Sequence, residues 1–145
     1  MKLRVFISYS SSDGTNFANK AAEIIRKTGH QPWIYYHNKT LGVLVWQEIA
    51  KRIVNETDVF IFLCTPLSCH SWGQAQEAGY ALNHRKKTIT IVIDNAQVPL
   101  ELTARNYANT SSGQYLDTVK EIALDLPRII KRIQKLNPQI EATIL

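Results

Sequence analysis

Cysteine is scarce in this sequence, and long apolar runs are missing. The 145 residues include only Cys64 and Cys69, which excludes a disulfide framework and favours a reducing, cytoplasmic setting. No apolar run approaches the roughly 20 residues that cross a bilayer, and the N-terminal MKLRVFISYS predicts a strand rather than a secretory signal. We therefore expect a single cytoplasmic domain over residues 1–145, with no membrane partner.

Several motifs that define common α/β proteins are also missing. Neither GxGxxG nor GxxxxGK[ST] occurs, which excludes the Rossmann fingerprint and the P-loop. Phosphoacceptor receiver domains carry acids after the first strand and an aspartate at the end of the third, where this chain has SYS (8–10) and Cys64. A Ser-His-Asp triad lacks its nucleophile elbow. Cys64, Cys69 and His70 do not complete a four-ligand site, so no metal is predicted.

Positive charge is in modest excess, with a net charge of +5. Part of that excess lies near the C-terminus, where helical spacing relates Arg128, Lys131, Arg132 and Lys135. Such a stripe is typical of the solvated face of a helix. Because no aromatic residues alternate with these cations and no recognition motif occurs, the sequence does not favour a nucleic-acid partner.

Apolar runs that alternate with helical patterns indicate the fold. Four such runs cover residues 3–8, 32–36, 58–64 and 88–94. The third, DVFIFLC, is apolar on both faces, as a central parallel strand should be. After residue 95 the pattern predicts a helical turn, a short edge strand and a helix that Pro127 kinks or restarts. The sequence thus predicts a flavodoxin-like three-layer α/β domain, with a parallel sheet of four to five strands in the order 2-1-3-4-5 flanked by helices.

In such sheets ligands bind beyond the carboxyl ends of the strands, which directs attention to the loop SYSSSDG (8–14). Its serine hydroxyls and backbone N–H groups end a strand where a helix starts. That arrangement can hold a phosphate group, or the serines and Asp13 can simply cap the helix.

The helical segment SWGQAQEAGYALNHRKK (71–87) carries a lone acid, Glu77. Ser71 and Gln74 have the spacing of a capping box, which predicts that the helix begins at about Trp72. The helical period predicts a core-facing stripe of Trp72, Ala75, Ala78, Gly79 and Leu82. Glu77 is expected on a second face with small neighbours, either as an ordinary rim glutamate or looking into a cleft.

Four segments taken together resemble the TIR (Toll/interleukin receptor) domain. They are RVFISYSSSD (4–13), the Gly29-x-x-x-Trp33 entry to the second strand, VFIFLCTPLSCHSW (59–72) and the acid Glu77. The resemblance covers about residues 3–136. The tryptophan and the glutamate of the motif are spaced Trp72-x4-Glu77 here, where the family commonly has Trp-x-x-x-Glu.

Many TIR domains cleave NAD+ at the nicotinamide–ribose bond, and some cyclise the product into a signal for antiviral defence. The resemblance therefore implies an NAD+ nucleosidase or ADP-ribosyl cyclase with NAD+ as substrate, no separate cofactor and Glu77 as the catalytic residue. The substrate-binding candidates are Tyr9, Ser10, Ser11, Asp13, Trp46, Ser71 and Trp72. The family further implies homo-oligomers assembled through the loop 37–45, and a separate effector that responds to the product.

A lone carboxylate suits this chemistry because the nicotinamide of NAD+ is already a cationic leaving group and needs no proton. The carboxylate would stabilise the oxocarbenium-like transition state at the ribose, as glycosidase carboxylates do. Two alternatives stay open. The segment EAGYAL (77–82) also resembles nucleoside 2-deoxyribosyltransferases, and a TIR module can act by homotypic association alone.

Overall fold

Strands and helices alternate along the chain. The computed structural model describes residues 2–34, 43–103 and 107–136. Its strands β1–β5 are Arg4–Ser8, Gln31–Trp33, Val59–Cys64, Lys87–Ile93 and Tyr107–Thr110. Its helices α1–α5 are Thr15–Lys27, Val43–Asn55, Trp72–Asn83, Leu100–Thr103 and Tyr115–Leu136, and a 3₁₀ turn at Ser68–His70 precedes α3.

The described strands form one parallel sheet in the order β2-β1-β3-β4-β5, which confirms the predicted topology. The central strand β3 is buried along its whole length, as its apolar sequence predicts. β2 ends at Trp33, earlier than the predicted 32–36, and residues 35 and 36 lie outside the described part of the chain.

Side chains alternate across the sheet and fill two separate layers. One layer holds Val5, Ile7 and Tyr9 of the first strand region beneath α1 and α5. The other holds Phe6 with Phe60 and Phe62 beneath α2 and α3. Because of this alternation the neighbours Ser8 and Tyr9 point into opposite layers, with Ser8 on the side of α3.

The last helix runs without a break through Pro127, so the predicted restart there is wrong. Proline lacks the N–H that would bond the carbonyl of Ala123, four residues earlier. Nε2 of His30 lies 2.9 Å from that carbonyl oxygen, while Nδ1 of His30 accepts a hydrogen bond from the Leu3 backbone N–H at 3.1 Å. Because Nδ1 accepts, Nε2 is the ring nitrogen that donates to the Ala123 carbonyl, and His30 supplies the bond that Pro127 cannot.

Asp58 fixes the amino end of the sheet. Its carboxylate accepts the backbone N–H of Arg4 at 2.7 Å and the Arg4 guanidinium at 2.9 Å. Asp58 is buried, and this pair joins the starts of β1 and β3. The contact between Ser8 and Glu77 lies at the opposite, carboxyl end of the sheet.

No helix within residues 2–34, 43–103 and 107–136 combines the length and the apolar character that crossing a membrane requires.

Candidate functional site

Helix α3 presents Glu77, and two polar contacts fix where this helix begins. The Ser71 hydroxyl accepts the backbone N–H of Gln74 at 3.2 Å, so the helix starts at Trp72 as the capping pattern predicts. The Gln74 side chain does not complete the capping box, because its Nε2 donates to the Leu63 carbonyl at 2.9 Å instead. This bond pins the first turns of α3 to the end of β3.

The face of α3 that meets the sheet differs from the predicted one. The buried residues of the helix are Gln74, Glu77, Ala78 and Ala81. Trp72, predicted in the core stripe, is 64% exposed, and Ala75 is exposed as well. Polar groups thus occupy part of the inner face, since Gln74 and Glu77 both find hydrogen-bond partners on the sheet.

Glu77 contacts the end of the first strand. The Ser8 hydroxyl donates to Oε1 of Glu77 at 2.7 Å, across a sequence separation of 69 residues. The two residues are 0% and 1% exposed, respectively. Ser8 is the last residue of β1 and pairs with Phe62 of β3, so the contact lies at the carboxyl end of the sheet. Glu77 is therefore neither a rim glutamate nor an openly exposed one.

Burial dominates the electrostatics of Glu77. Removal from water raises its pKa to about 8, and the hydrogen bond from Ser8 acts in the opposite direction. In the substrate-free protein the carboxyl consequently holds its proton at neutral pH. A nearby positive charge would favour its ionised form.

The loop between β1 and α1 is a tight turn joined to the segment that precedes α3. Asp13 accepts the Thr65 hydroxyl at 2.6 Å and the Leu67 backbone N–H at 2.9 Å. Gly14 donates its N–H to the Ser10 carbonyl at 2.7 Å, and a Cβ at Gly14 would lie 2.8 Å from the same oxygen. The close approach requires glycine here, and the Asp13 contacts fix the loop against the start of α3.

Removing the Asp13 carboxylate is expected to loosen this connection. Asp13→Ala leaves two donors without their charged acceptor and should lower the free energy of unfolding by roughly 2–3 kcal/mol. Urea unfolding measures that loss, and amide hydrogen exchange at Leu67 should accelerate. The matched control is Asp125→Ala, whose carboxylate pairs with the exposed Arg128 and should cost less than about 1 kcal/mol. Equal losses in the two variants would contradict the assignment.

Two tryptophans form an aromatic surface beside α3. Trp46 of α2 meets Trp72 edge to face, with ring centroids 5.1 Å apart. Since a helix turns about 100° per residue, five residues separate the directions of Trp72 and Glu77 by about 140°. Trp72 therefore turns towards α2 and solvent, whereas Glu77 turns towards β1.

A cleft of about 180 Å³ lies near the carboxyl ends of β3 and β4, beside the outer face of α3. Its lining includes Ser71, Cys69 and Glu101. Below it, the buried Cys64 thiol donates to the Gln97 carbonyl at 3.1 Å, and burial raises its pKa to about 11. Within the part of the chain that the structure describes, no three His, Cys, Asp or Glu residues are grouped to hold a metal ion.

Comparison with known proteins assigns this architecture. The family profile of the TIR domain matches residues 5–123. The chain belongs to the TIR domain family. No curated protein sequence matches it.

Solved structures agree with the assignment at the level of fold. The TIR domain resembles a chain from the crystal structure of the RPS4 and RRS1 TIR domain heterodimer, at 17% identity and a TM-score of 0.57, covering 86% of this chain and 95% of that one. It also resembles a 2-desoxiribosyltransferase from Leishmania mexicana, at 18% identity and a TM-score of 0.50, covering 79% of this chain and 85% of that one. At these identities the likeness is one of fold.

The predicted site residues of the TIR domain fall into three groups. Glu77 lies at the carboxyl end of the sheet, whereas Trp46 and Trp72 pack against each other on a different face of α3, turned away from Glu77. Three others are engaged in local structure: Ser71 caps α3, Asp13 joins two loops, and Ser10 is buried in the turn closed by Gly14.

The remaining candidates lie elsewhere. Ser11 is exposed on the loop after β1. Tyr9 is 2% exposed within the α1/α5 layer, on the side of the sheet opposite to Glu77. In the predicted assembly loop 37–45, residues 37–42 lie outside the described part of the chain, and α2 begins at Val43.

Sequence reasoning missed Ser8 as the partner of Glu77. The strand alternation contained the signal, because Ser8 shares the parity of the core residue Phe6 and ends the strand. By that criterion, a polar residue at a core-facing position at the carboxyl end of a strand is a site candidate.

Proposed function

We propose that this TIR domain cleaves NAD+ between nicotinamide and ribose, with Glu77 as the catalytic residue. The observation that carries the proposal is the buried carboxyl of Glu77, hydrogen-bonded by Ser8, at the carboxyl end of a parallel sheet. A buried carboxyl with a strongly perturbed pKa in such a position is a candidate for chemistry. The products would be nicotinamide and either ADP-ribose or a cyclic ADP-ribose-type signal.

The reaction breaks the bond from the ribose C1′ to the pyridinium nitrogen, and the bonding electrons leave with nicotinamide, which becomes neutral. Positive charge then develops at C1′ and the ring oxygen. The ionised Glu77 would stabilise that charge, in a setting where burial strengthens the attraction. Water adds to C1′ and loses a proton to give ADP-ribose, or an adenine nitrogen adds instead and closes the ring.

The proton on Glu77 is consistent with a cationic substrate. The pyridinium ring favours the ionised carboxylate, so binding of NAD+ would displace the proton to solvent. In the free protein the ionised fraction grows as pH approaches the pKa of about 8. The value of kcat/KM should therefore rise with pH up to that region.

Aromatic and assembly contacts complete the proposal. The exposed ring of Trp72, supported by Trp46, would offer a stacking surface to the adenine, and Ser11 would offer an exposed hydroxyl. Homo-oligomers through the loop 37–45, a cytoplasmic location and a separate effector in antiviral defence are part of the same proposal.

A transferase is the second candidate. The fold resembles a 2-desoxiribosyltransferase, and a buried glutamate could attack the sugar carbon of a neutral nucleoside. The two functions differ in the charge of the leaving base. A cationic base departs without a proton, whereas a neutral purine or pyrimidine needs a proton donor.

The deciding experiment measures NAD+ consumption with separation of the products, at high protein concentration and with a crowding agent. Nicotinamide release by the wild type supports the proposed function, and the second product distinguishes hydrolysis from cyclisation. Without nicotinamide release, transfer of base between deoxynucleosides would support the transferase. Light scattering that reports assembly, with neither activity, would leave a non-catalytic interaction module.

A further inference from the structure

The end of β1 brings a second side chain to the reactive carboxyl. The Ser8 hydroxyl donates to Oε1 of Glu77 at 2.7 Å, a short hydrogen bond between two fully buried groups. The backbone of Ser8 is held in the parallel ladder opposite Phe62, near the middle of the sheet. The donor is therefore fixed by the hydrogen-bonded backbone of the sheet, while the acceptor is on α3.

We propose that Ser8 is a positioning residue for Glu77, whose hydroxyl fixes the orientation of the carboxyl and favours its ionised form. The contact is independent of any reaction, but its catalytic meaning rests on the proposed NAD+ cleavage. A hydroxyl that donates to a carboxylate stabilises the charged form more than the neutral form. Buried without such a donor, the carboxyl would hold its proton more tightly and ionise at higher pH.

Other charged or titratable groups on the surrounding elements, within residues 2–34, 43–103 and 107–136, are engaged differently. Cys64 of β3 faces the same layer, and burial keeps its thiol neutral at physiological pH. Arg52 of α2 pairs with Glu56 at 3.0 Å. Lys86, just before β4, interacts with the charges of Asp58 and Arg4 at the amino end of the sheet. Tyr80 of α3 is partly buried against the layer beneath α2 and α3. The contact of Ser8 with Glu77 can be removed by deleting one oxygen atom.

The sheet supplies a matched control for that deletion. Thr90 of β4 is also a buried hydroxyl residue at the strand position paired with Phe62, and its Oγ1 has no hydrogen-bond partner among the residues that the structure describes. Thr90→Val removes this hydroxyl at nearly constant volume. It should leave the titration of Glu77 unchanged, because the hydroxyl it removes makes no bond.

The experiment follows the side-chain carboxyl carbon of Glu77 by ¹³C NMR during a pH titration, with the signal assigned by its loss in Glu77→Gln. Loss of a hydrogen bond to a charged group is expected to raise the midpoint in Ser8→Ala by about 1–2 pH units. Ser8→Cys keeps a weaker donor of similar size and should give an intermediate midpoint, which serves if Ser8→Ala does not fold. The rising limb of the kcat/KM profile should move by the same amount.

Midpoints of Ser8→Ala and Ser8→Cys equal to that of the wild type would overturn the inference. So would an equal rise in Thr90→Val, which would indicate a general loosening of the layer. The NMR titration does not depend on turnover, so the two proposals fail separately. If the midpoint shifts in Ser8→Ala but the wild type does not cleave NAD+, the role of Ser8 stands and the proposed function is wrong. If the midpoint does not shift but the wild type cleaves NAD+, the proposed function stands and the role of Ser8 is wrong.

Discussion

Glu77→Gln is expected to lower nicotinamide release from NAD+ by at least about 100-fold, because the substitution removes the negative charge that opposes the developing cation. Glutamine keeps the size of the side chain and can still accept the Ser8 hydroxyl on its carbonyl oxygen. The fold should therefore survive. The loss should appear in kcat, since the charge interaction that is removed is strongest in the transition state.

The control for this loss is Glu23→Gln, which makes the same chemical change at an exposed position of α1. It should retain wild-type release of nicotinamide. Both variants are compared at equal protein concentration, with light scattering to verify equal assembly. Release by Glu77→Gln within a few-fold of the wild type would remove Glu77 from its catalytic role.

The free energy of unfolding of the wild type is expected to fall relative to Glu77→Gln as pH rises. The pKa of Glu77 is raised from 4.5 to about 8 by folding, so between these values the folded state binds a proton that the unfolded chain has lost. Stability then decreases with pH at up to roughly 1.4 kcal/mol per unit. The decrease is absent below the pKa of Glu77 in the unfolded chain and complete above its pKa in the folded protein. In total it amounts to several kcal/mol.

Urea unfolding of both proteins at a series of pH values from 4 to 9 measures the effect. Other titrating groups are shared, so the difference between the two curves isolates Glu77. Above pH 8 glutamine should give the more stable protein, a case in which a candidate catalytic group costs the fold stability. Parallel curves across the whole range would mean that the carboxyl ionises as it does in the unfolded chain.

The fold follows closely from local sequence patterns, whereas the orientation of the site does not. Strand order and the start of α3 depend on apolar alternation and on the Ser71 cap, which are local signals. The predicted inner face of α3 is wrong because apolar character alone does not determine which residues of this helix are buried. Gln74 and Glu77 are buried through bonds to Leu63 and Ser8, partners that only the folded sheet brings close.

The aromatic surface formed by Trp46 and Trp72 is likewise only partly predictable from residue spacing. The sequence suggests Trp72 as a residue of the site but places it in the core, because the helical period puts it on the apolar stripe with Ala78 and Leu82. The exposed ring instead meets Trp46 of α2, a contact between residues 26 positions apart that no local pattern encodes. For Tyr9, by contrast, a local pattern is sufficient. The alternation of side chains along β1 assigns Tyr9 to the layer beneath α1 and α5, on the side of the sheet opposite to Glu77.

The pairing of His30 with the carbonyl that Pro127 leaves free makes the two positions epistatic. Any other residue at 127 would bring an N–H that competes with the imidazole for the Ala123 oxygen, and loss of the imidazole alone would leave that oxygen without its side-chain donor. The effect of a substitution at either position on stability thus depends on the residue at the other. Along a lineage the histidine and the proline should be gained or lost together, although 97 positions separate them in the chain.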